Sequence, residues 1–170
     1  ILKKLSLEPN QEDEFIDEDL TMKDYIKEIV SSFKETSSKN FVLNFEQNLN
    51  SKKITKSIEI VYGLRNFIGN ANKFSSNKIF ITLKTDMNIT EITIEDDGKG
   101  FPNDIISKIG EPYLKSLKEK NKNNIGLGLG MFIGKTLLEK NFATVNCGNS
   151  QTRGGAEIII TWRNKDLFKI

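Results

Sequence analysis

Between Ile79 and Ile94 the chain twice alternates apolar and polar residues, and no other feature constrains its fold as much. Ile79, Ile81 and Leu83 alternate with Phe80, Thr82 and Lys84, the period of a strand with one buried face. Asp86-Met87-Asn88 reads as a turn, and Ile92 and Ile94 carry the returning strand. An antiparallel hairpin with one apolar face has to be covered by a second layer.

The flanking sequence supplies that layer. Thr21 to Asp24 has capping-box-like spacing, and Met22, Ile26, Ile29, Val30 and Phe33 fall on one helical face. Phe41 to Phe45 reads as a strand, and Ile54-Thr55 as a short one. Ile60, Leu64, Phe67, Ile68 and Ala71 stripe a helix from about Ser57 to Phe74. A third helix runs on to Lys140, its buried face expected at Leu129, Phe132, Ile133 and Leu137. Ala143 to Asn146 and Ala156 to Trp162 read as two last strands. The order predicts an α/β fold, a two-layer sandwich whose mixed, mostly antiparallel sheet carries its helices on one face.

Residues 1–19, acidic from Glu8 to Asp19, read as a solvated linker, leaving 20–170 as one domain. Residues 110–125, rich in Lys, Asn and Glu, read as a mobile loop. A net charge of +2 gives no field for nucleic acid. The one cysteine, Cys147, excludes an internal disulfide, fits a reducing cytoplasm and reads as a small core residue. No histidine is present, so the chain has no imidazole base or metal ligand. The start at Ile1, without methionine, suggests a piece of something longer.

Three segments carry possible chemistry. Asn66, Asn70 and Lys73 are spaced i, i+4, i+7 and share a helix face. Two carboxamides and an ammonium in line could hold a hydrated divalent cation and a phosphate chain, or simply face solvent. Asp97-Gly98-Lys99-Gly100 sets a carboxylate at a strand end before two glycines. Such a carboxylate, if buried, could accept from an exocyclic amine such as that of adenine; Asp-Gly is also common in plain turns. Adjacent Asp96 has the same chemistry but reads as one residue out of register with the glycines. Gly126-Leu127-Gly128-Leu129-Gly130 opens a helix, where close backbone and unpaired N–H groups suit an anion. It is neither a dinucleotide-binding fingerprint nor a Walker loop.

In this order the segments resemble the N, G1, F and G2 boxes of histidine kinase catalytic domains. They read here as Asn66 to Phe74, Asp97 to Gly100, Glu111-Pro112-Tyr113, and Gly126 to Gly130. The resemblance covers roughly residues 20–163. It implies the Bergerat (GHKL) fold with ATP and Mg²⁺ as cofactors. It implies Asn70 at the magnesium-phosphate position, Asp97 on the adenine amine, and Asn66 orienting phosphate or metal. Lys73, Phe74, Gly98, Gly100 and Phe101 would line the nucleotide pocket, and Gly126, Leu127, Gly128, Leu129 and Gly130 the lid hinge and phosphate cradle.

Within that family the chain is most similar to redox-responsive sensor kinases of the RegB or PrrB type, through Gly110 to Tyr113, Gly126 to Glu139, and Gly154-Gly155-Ala156 leading into Trp162. Cys147 does not occupy that type's redox position. Gly69, Gly110 and Ala156 depart from the common pattern. Related ATPases and serine kinases place a glutamate base where Asn66 stands, and a neutral amide cannot take that proton.

The expected function is therefore transfer of the ATP γ-phosphate to a histidine on a separate dimerisation domain preceding residue 1, for relay to a response-regulator aspartate. The resemblance implies a cytoplasmic domain of a dimeric inner-membrane sensor, this piece itself monomeric, with no direct nucleic-acid partner. An ATPase or serine kinase of the same fold, and a nucleotide-sensing module that transfers nothing, are the alternatives.

Overall fold

The computed structural model describes residues 20–46, 52–54, 57–104, 106–109 and 125–168. The linker expected over residues 1–19 lies outside them, as do Thr55, Glu111-Pro112-Tyr113 and most of the loop expected over 110–125.

Among the described residues, three long α-helices, one single-turn α-helix and five strands build two layers. Helix α1 spans Met22–Lys34 and α2 spans Ile58–Phe74. Helix α3 spans Ile125–Lys140, and the single turn α4 spans Asn164–Leu167. The strands are β1 (Asn40–Phe45), β2 (Lys78–Thr85), β3 (Ile89–Asp96), β4 (Thr144–Asn149) and β5 (Ala156–Arg163). The sheet runs β1-β2-β3-β5-β4. Only β1 and β2 pair in parallel; the other three pairings are antiparallel.

Alternation decides which sheet face is covered. Ile79, Ile81 and Leu83 of β2, Ile92 and Ile94 of β3, and Ile158, Ile160 and Trp162 of β5 are all buried. Their sequence neighbours Phe80, Thr82, Thr93 and Ile159 are only half-buried on the opposite face. Both long N-terminal helices start at side-chain caps. Thr21 Oγ1 accepts from the Asp24 N–H at 3.2 Å, and Ser57 Oγ from the Ile60 N–H at 3.2 Å. The expected stripes of α1 and α2 are the buried ones, with Phe33 half-covered beneath the Arg65 guanidinium at 5.2 Å.

The buried face of α3 differs from the expected one. Leu129 is 58% exposed and Ile133 36%, whereas Met131 and Leu138 are buried at 1% and 0%. Glycines explain the difference. A Cβ on Gly134 would sit 2.9 Å from the Phe67 ring, and one on Gly63 would sit 2.6 Å from Leu138 Cγ. Helices α2 and α3 therefore touch along a seam of small residues and run antiparallel. Helix α3 is apolar on nearly every side, so periodicity alone could not choose its face.

Helix α3 ends in paired reverse bonds, Phe142 N–H to Glu139 O at 3.1 Å and Ala143 N–H to Leu138 O at 3.0 Å. That geometry needs a left-handed residue, usually glycine; here it is Phe142, at φ 69°. Ile54, expected in a short strand, makes a single bridge to Phe168.

Candidate nucleotide site

The C-terminal end of α2 lies beside the end of β3. The α2–β2 connection is pinned from two sides. The Lys39 ammonium donates to the Ser75 carbonyl. Asp97 Oδ1 accepts from the N–H groups of Ser76, Asn77 and Lys78 at 2.9, 2.9 and 3.1 Å. Partial burial raises the Asp97 carboxyl, but the Asn77, Lys78 and Ser76 N–H groups together hold it below its ordinary range.

Asp97, expected on the adenine amine, here spends Oδ1 on three backbone donors. The carboxylate buried at the strand end is Asp96, at 3% exposure. The strand's own parity puts it there: Thr90, Ile92, Ile94 and Asp96 point toward the helices, and Asp97 does not. Asp96 Oδ1 accepts from the Gly98 N–H at 2.8 Å and the Ala156 N–H at 3.3 Å. Its Oδ2 has no hydrogen-bond partner among the described residues. Burial pushes the Asp96 carboxyl up, the two N–H groups offset part of that, and the Asp97 charge adds to the rise.

Glycines are required around this carboxylate by contact distance. A Cβ on Gly98 would lie 2.2 Å from the Phe74 carbonyl, and one on Gly155 would lie 2.1 Å from Asp96 Oδ1. Gly98 thus seals the end of α2 against the strand end, and Gly155 closes the far side. Gly100 adopts φ 73° and leads into Phe101, which is 7% exposed. The D-x-G-x-G spacing itself fits Asp96 through Gly100, a signal the register chosen from the turn passed over. Gly155, which also borders this turn, entered the sequence reading only within the Gly154-Gly155-Ala156 run, and Asn149 had no signal there.

One helical turn before Phe74, Asn70 faces α3. A Cβ on Gly130 would lie 3.1 Å from Asn70 Nδ2. That nitrogen is buried with no hydrogen-bond partner among the described residues, a state that costs free energy unless an acceptor arrives. Asn66 Nδ2 donates back to the Tyr62 carbonyl at 2.8 Å, which leaves its oxygen as the outward atom. Lys73 is exposed, its ammonium 5.2 Å above the Phe74 ring. Gly126, Leu127 and Gly128 belong to the first turns of α3, Leu129 faces solvent, and Gly130 meets Asn70. The structure thus joins Asn70 to Gly130, and Phe74 to Gly98 and Asp96. Asp97 stays outside the cluster as a backbone cap. Cys147 is half-buried in β4, and burial pushes its thiol up to about 11.

An orphaned amide donor suits a phosphate oxygen, and the other atom of the same amide can face a hydrated cation. A buried carboxylate with a free oxygen suits an amine donor. The residues present fit a nucleotide with its divalent cation. Among the described residues, no group of three or more Cys, Asp or Glu side chains could hold a metal by itself, so a cation here would rely on phosphate and water for most of its ligands.

Residues 55–166 match the family model described as histidine kinase-, DNA gyrase B-, and HSP90-like ATPase. The sensor histidine kinase RegB of Cereibacter sphaeroides is 35% identical over 102 residues, covering 57% of this chain and 22% of that protein. CpxA, a sensor histidine kinase of Escherichia coli strain K12, is 28% identical over 97 residues, 57% of this chain and 21% of its own. The chain thus spans about a fifth of the length of these relatives. Among solved structures, the catalytic domain of histidine kinase ThkA superposes with a TM-score of 0.70 at 19% identity, covering 86% of this chain and 96% of that one. Full-length ShkA in complex with AMPPNP gives 0.71 at 17% identity, covering 90% of this chain and 31% of that one.

Proposed function

The chain belongs to the histidine kinase-, DNA gyrase B- and HSP90-like ATPase family, and we propose that it is the ATP-binding catalytic domain of a sensor histidine kinase. The observation that carries the site assignment is the placement of Asp96 and Asn70 at one end of α2. The carboxylate has an oxygen to spare and the amide has a donor to spare.

In this reading Asp96 Oδ2 accepts from the exocyclic amine of adenine, with Gly98, Gly100 and Phe101 shaping the wall around the base. Asn70 Nδ2 donates to a phosphate oxygen. The first turn of α3, at Ile125 to Gly128, would turn backbone N–H groups and their partial positive charge to the phosphates. Magnesium, when bound near Asn70, neutralises phosphate charge. Asn66 orients phosphate or metal through its outward oxygen. Lys73 and Phe74 flank the base or ribose.

These groups position and stabilise charge, which is most of what phosphoryl transfer asks of a protein. Asn66 and Asn70, the side chains set toward the phosphates in this reading, are neutral amides and cannot act as a base. A neutral imidazole needs none, because its nitrogen lone pair attacks phosphorus directly as the bond to the ADP oxygen breaks. Asn66, tied to Tyr62, cannot activate water or serine, which favours histidine over hydrolysis. The acceptor histidine would lie in a dimerisation domain of the longer protein, with a response regulator downstream. In this reading the domain lies on the cytoplasmic side of a membrane-linked sensor, as the resemblance to sensor histidine kinases implies. Among the described residues no helix is long and apolar enough to cross a membrane.

Calorimetry of Mg-ATP binding to Asp96→Asn and Asp97→Asn tests the assignment. Loss of a hydrogen bond to a charged acceptor at Asp96 should weaken binding roughly 10- to 100-fold. Asp97→Asn retains an oxygen for its three backbone donors and should bind nearly as the wild type does. The opposite ranking would move the base to Asp97 and defeat this reading.

A further inference from the structure

We propose that Asn149 is a positioning residue for base recognition, acting through the turn that follows Asp96; this rests on the reading that Asp96 receives the adenine amine. Asn149 ends β4, 48 residues from the turn in sequence, and no box includes it. Its carboxamide grips the Phe101 backbone at both polar atoms. Oδ1 accepts from the Phe101 N–H at 2.7 Å and Nδ2 donates to the Phe101 carbonyl at 2.8 Å. A side chain that satisfies both groups of one peptide residue fixes that residue's position and rotation together.

The residue before the grip has no room to move either. Gly100 stands at φ 73°, and a Cβ there would lie 2.6 Å from Asn149 Oδ1. The turn from Asp97 to Gly100 is therefore fastened twice. At its start Asp96 Oδ1 holds the Gly98 N–H at 2.8 Å, and at its end Asn149 holds Phe101. The two fastenings are themselves linked. Asn149 is the cross-strand partner of Ala156, whose N–H donates to Asp96 Oδ1 at 3.3 Å. Freeing the Phe101 end lets Gly98 leave Asp96 Oδ1. Asp96 Oδ1 then keeps only the Ala156 N–H, and the free oxygen loses its fixed aim. Among the described residues the Asn149 side chain hydrogen-bonds only to Phe101, so its effect should fall on the base and spare the phosphates.

The test compares ATP with purine riboside triphosphate, which lacks the exocyclic amine. The wild-type chain should prefer ATP roughly 10- to 100-fold, the size of one hydrogen bond to a charged acceptor. Asn149→Ala should shrink that preference by about tenfold, chiefly by weakening ATP. Asn149→Asp, which keeps an acceptor for the N–H and loses the donor, should fall between. A folded Asn149→Ala that keeps the wild-type preference overturns the proposal, since lost stability alone would not change a ratio of affinities. A wild type without preference for ATP overturns the Asp96 reading first, and the positioning role with it. Should Asn149→Ala not fold, amide exchange on the wild type decides. Exchange at Phe101 should slow on adding Mg-ATP and respond much less to the deamino analogue. Equal response to both nucleotides overturns the proposal.

Discussion

Substituting Gly130→Ala separates what the seam between α2 and α3 does for stability from what it does for binding. Gly130 sits inside α3, where glycine is about 0.8–1 kcal/mol less favourable than alanine. The added Cβ would meet Asn70 Nδ2 at 3.1 Å and Oδ1 at 3.3 Å, short of the ~3.5–4.0 Å of relaxed contact. The amide has to retreat by a few tenths of an ångström. It has no hydrogen-bond partner at Nδ2 to lose, so the retreat itself costs little. Net stability should stay level or rise by less than about 1 kcal/mol, a melting shift of no more than roughly 2–4 °C for a chain of this size. Binding should go the other way. If Asn70 Nδ2 is aimed at a phosphate oxygen, displacing it forfeits much of a charge-assisted bond, roughly 10- to 100-fold in Mg-ATP affinity. Thermal denaturation and calorimetry on the same sample read both numbers. Wild-type affinity in a stably folded Gly130→Ala would refute the role given to Asn70. A melting temperature lowered by many degrees would show that the seam cannot yield.

Two other expectations follow from the geometry. Asp96 titrates higher in the folded chain because burial opposes its charge. The stability it contributes is present in full below its unfolded pKa and is lost as pH rises through the folded value. Ionised Asp96 is the form that accepts an amine, so ATP affinity should fall as pH drops through that raised pKa. Affinity for purine riboside triphosphate should fall less, and calorimetry showing parallel profiles would count against Asp96 as the amine acceptor. Phe142 holds a left-handed conformation that costs a side chain about 1–2 kcal/mol, and it is 70% exposed, so little packing compensates. Phe142→Gly should raise the melting temperature by a few degrees after about 0.5–1 kcal/mol of glycine entropy is charged against it. Phe142→Ala, which keeps the strain, should not; equal melting of the two variants would remove strain as the cause.

The sheet hairpin and the stripes of α1 and α2 were legible because one face of each is apolar and the other is not. Helix α3 was not, because contrast is what periodicity reads and α3 has little. Its true contact face is marked by Gly130 and Gly134, residues that look like absences in a hydrophobic pattern. The two acidic residues at the end of β3 teach a related lesson. Read by the turn, Asp97 adjoins the glycines; read by the strand, Asp96 continues the inward parity of Ile92 and Ile94. Strand parity marks which of the two is buried, and the turn does not. Asn149 could not have been found, since its partner lies across the fold and a lone asparagine before a serine announces nothing.

Trp162 offers a different use of the fold. It is the chain's sole tryptophan, its side chain is 1% exposed, and its indole N–H donates to the Asn141 carbonyl at 3.2 Å. Asn141 follows the C-terminal end of α3, 11 residues and about 16 Å along the helix from Gly130. Trp162 also pairs with Thr90, six residues before Asp96 along β3, so the natural fluorophore stands about 20 Å along the strand from the proposed base. Its emission should be that of a dry indole and should redden when the helix layer lifts from the sheet. An observer following that light would watch the fold come apart while remaining nearly blind to adenine, so a nucleotide-dependent change in it would report motion carried along the whole of α3.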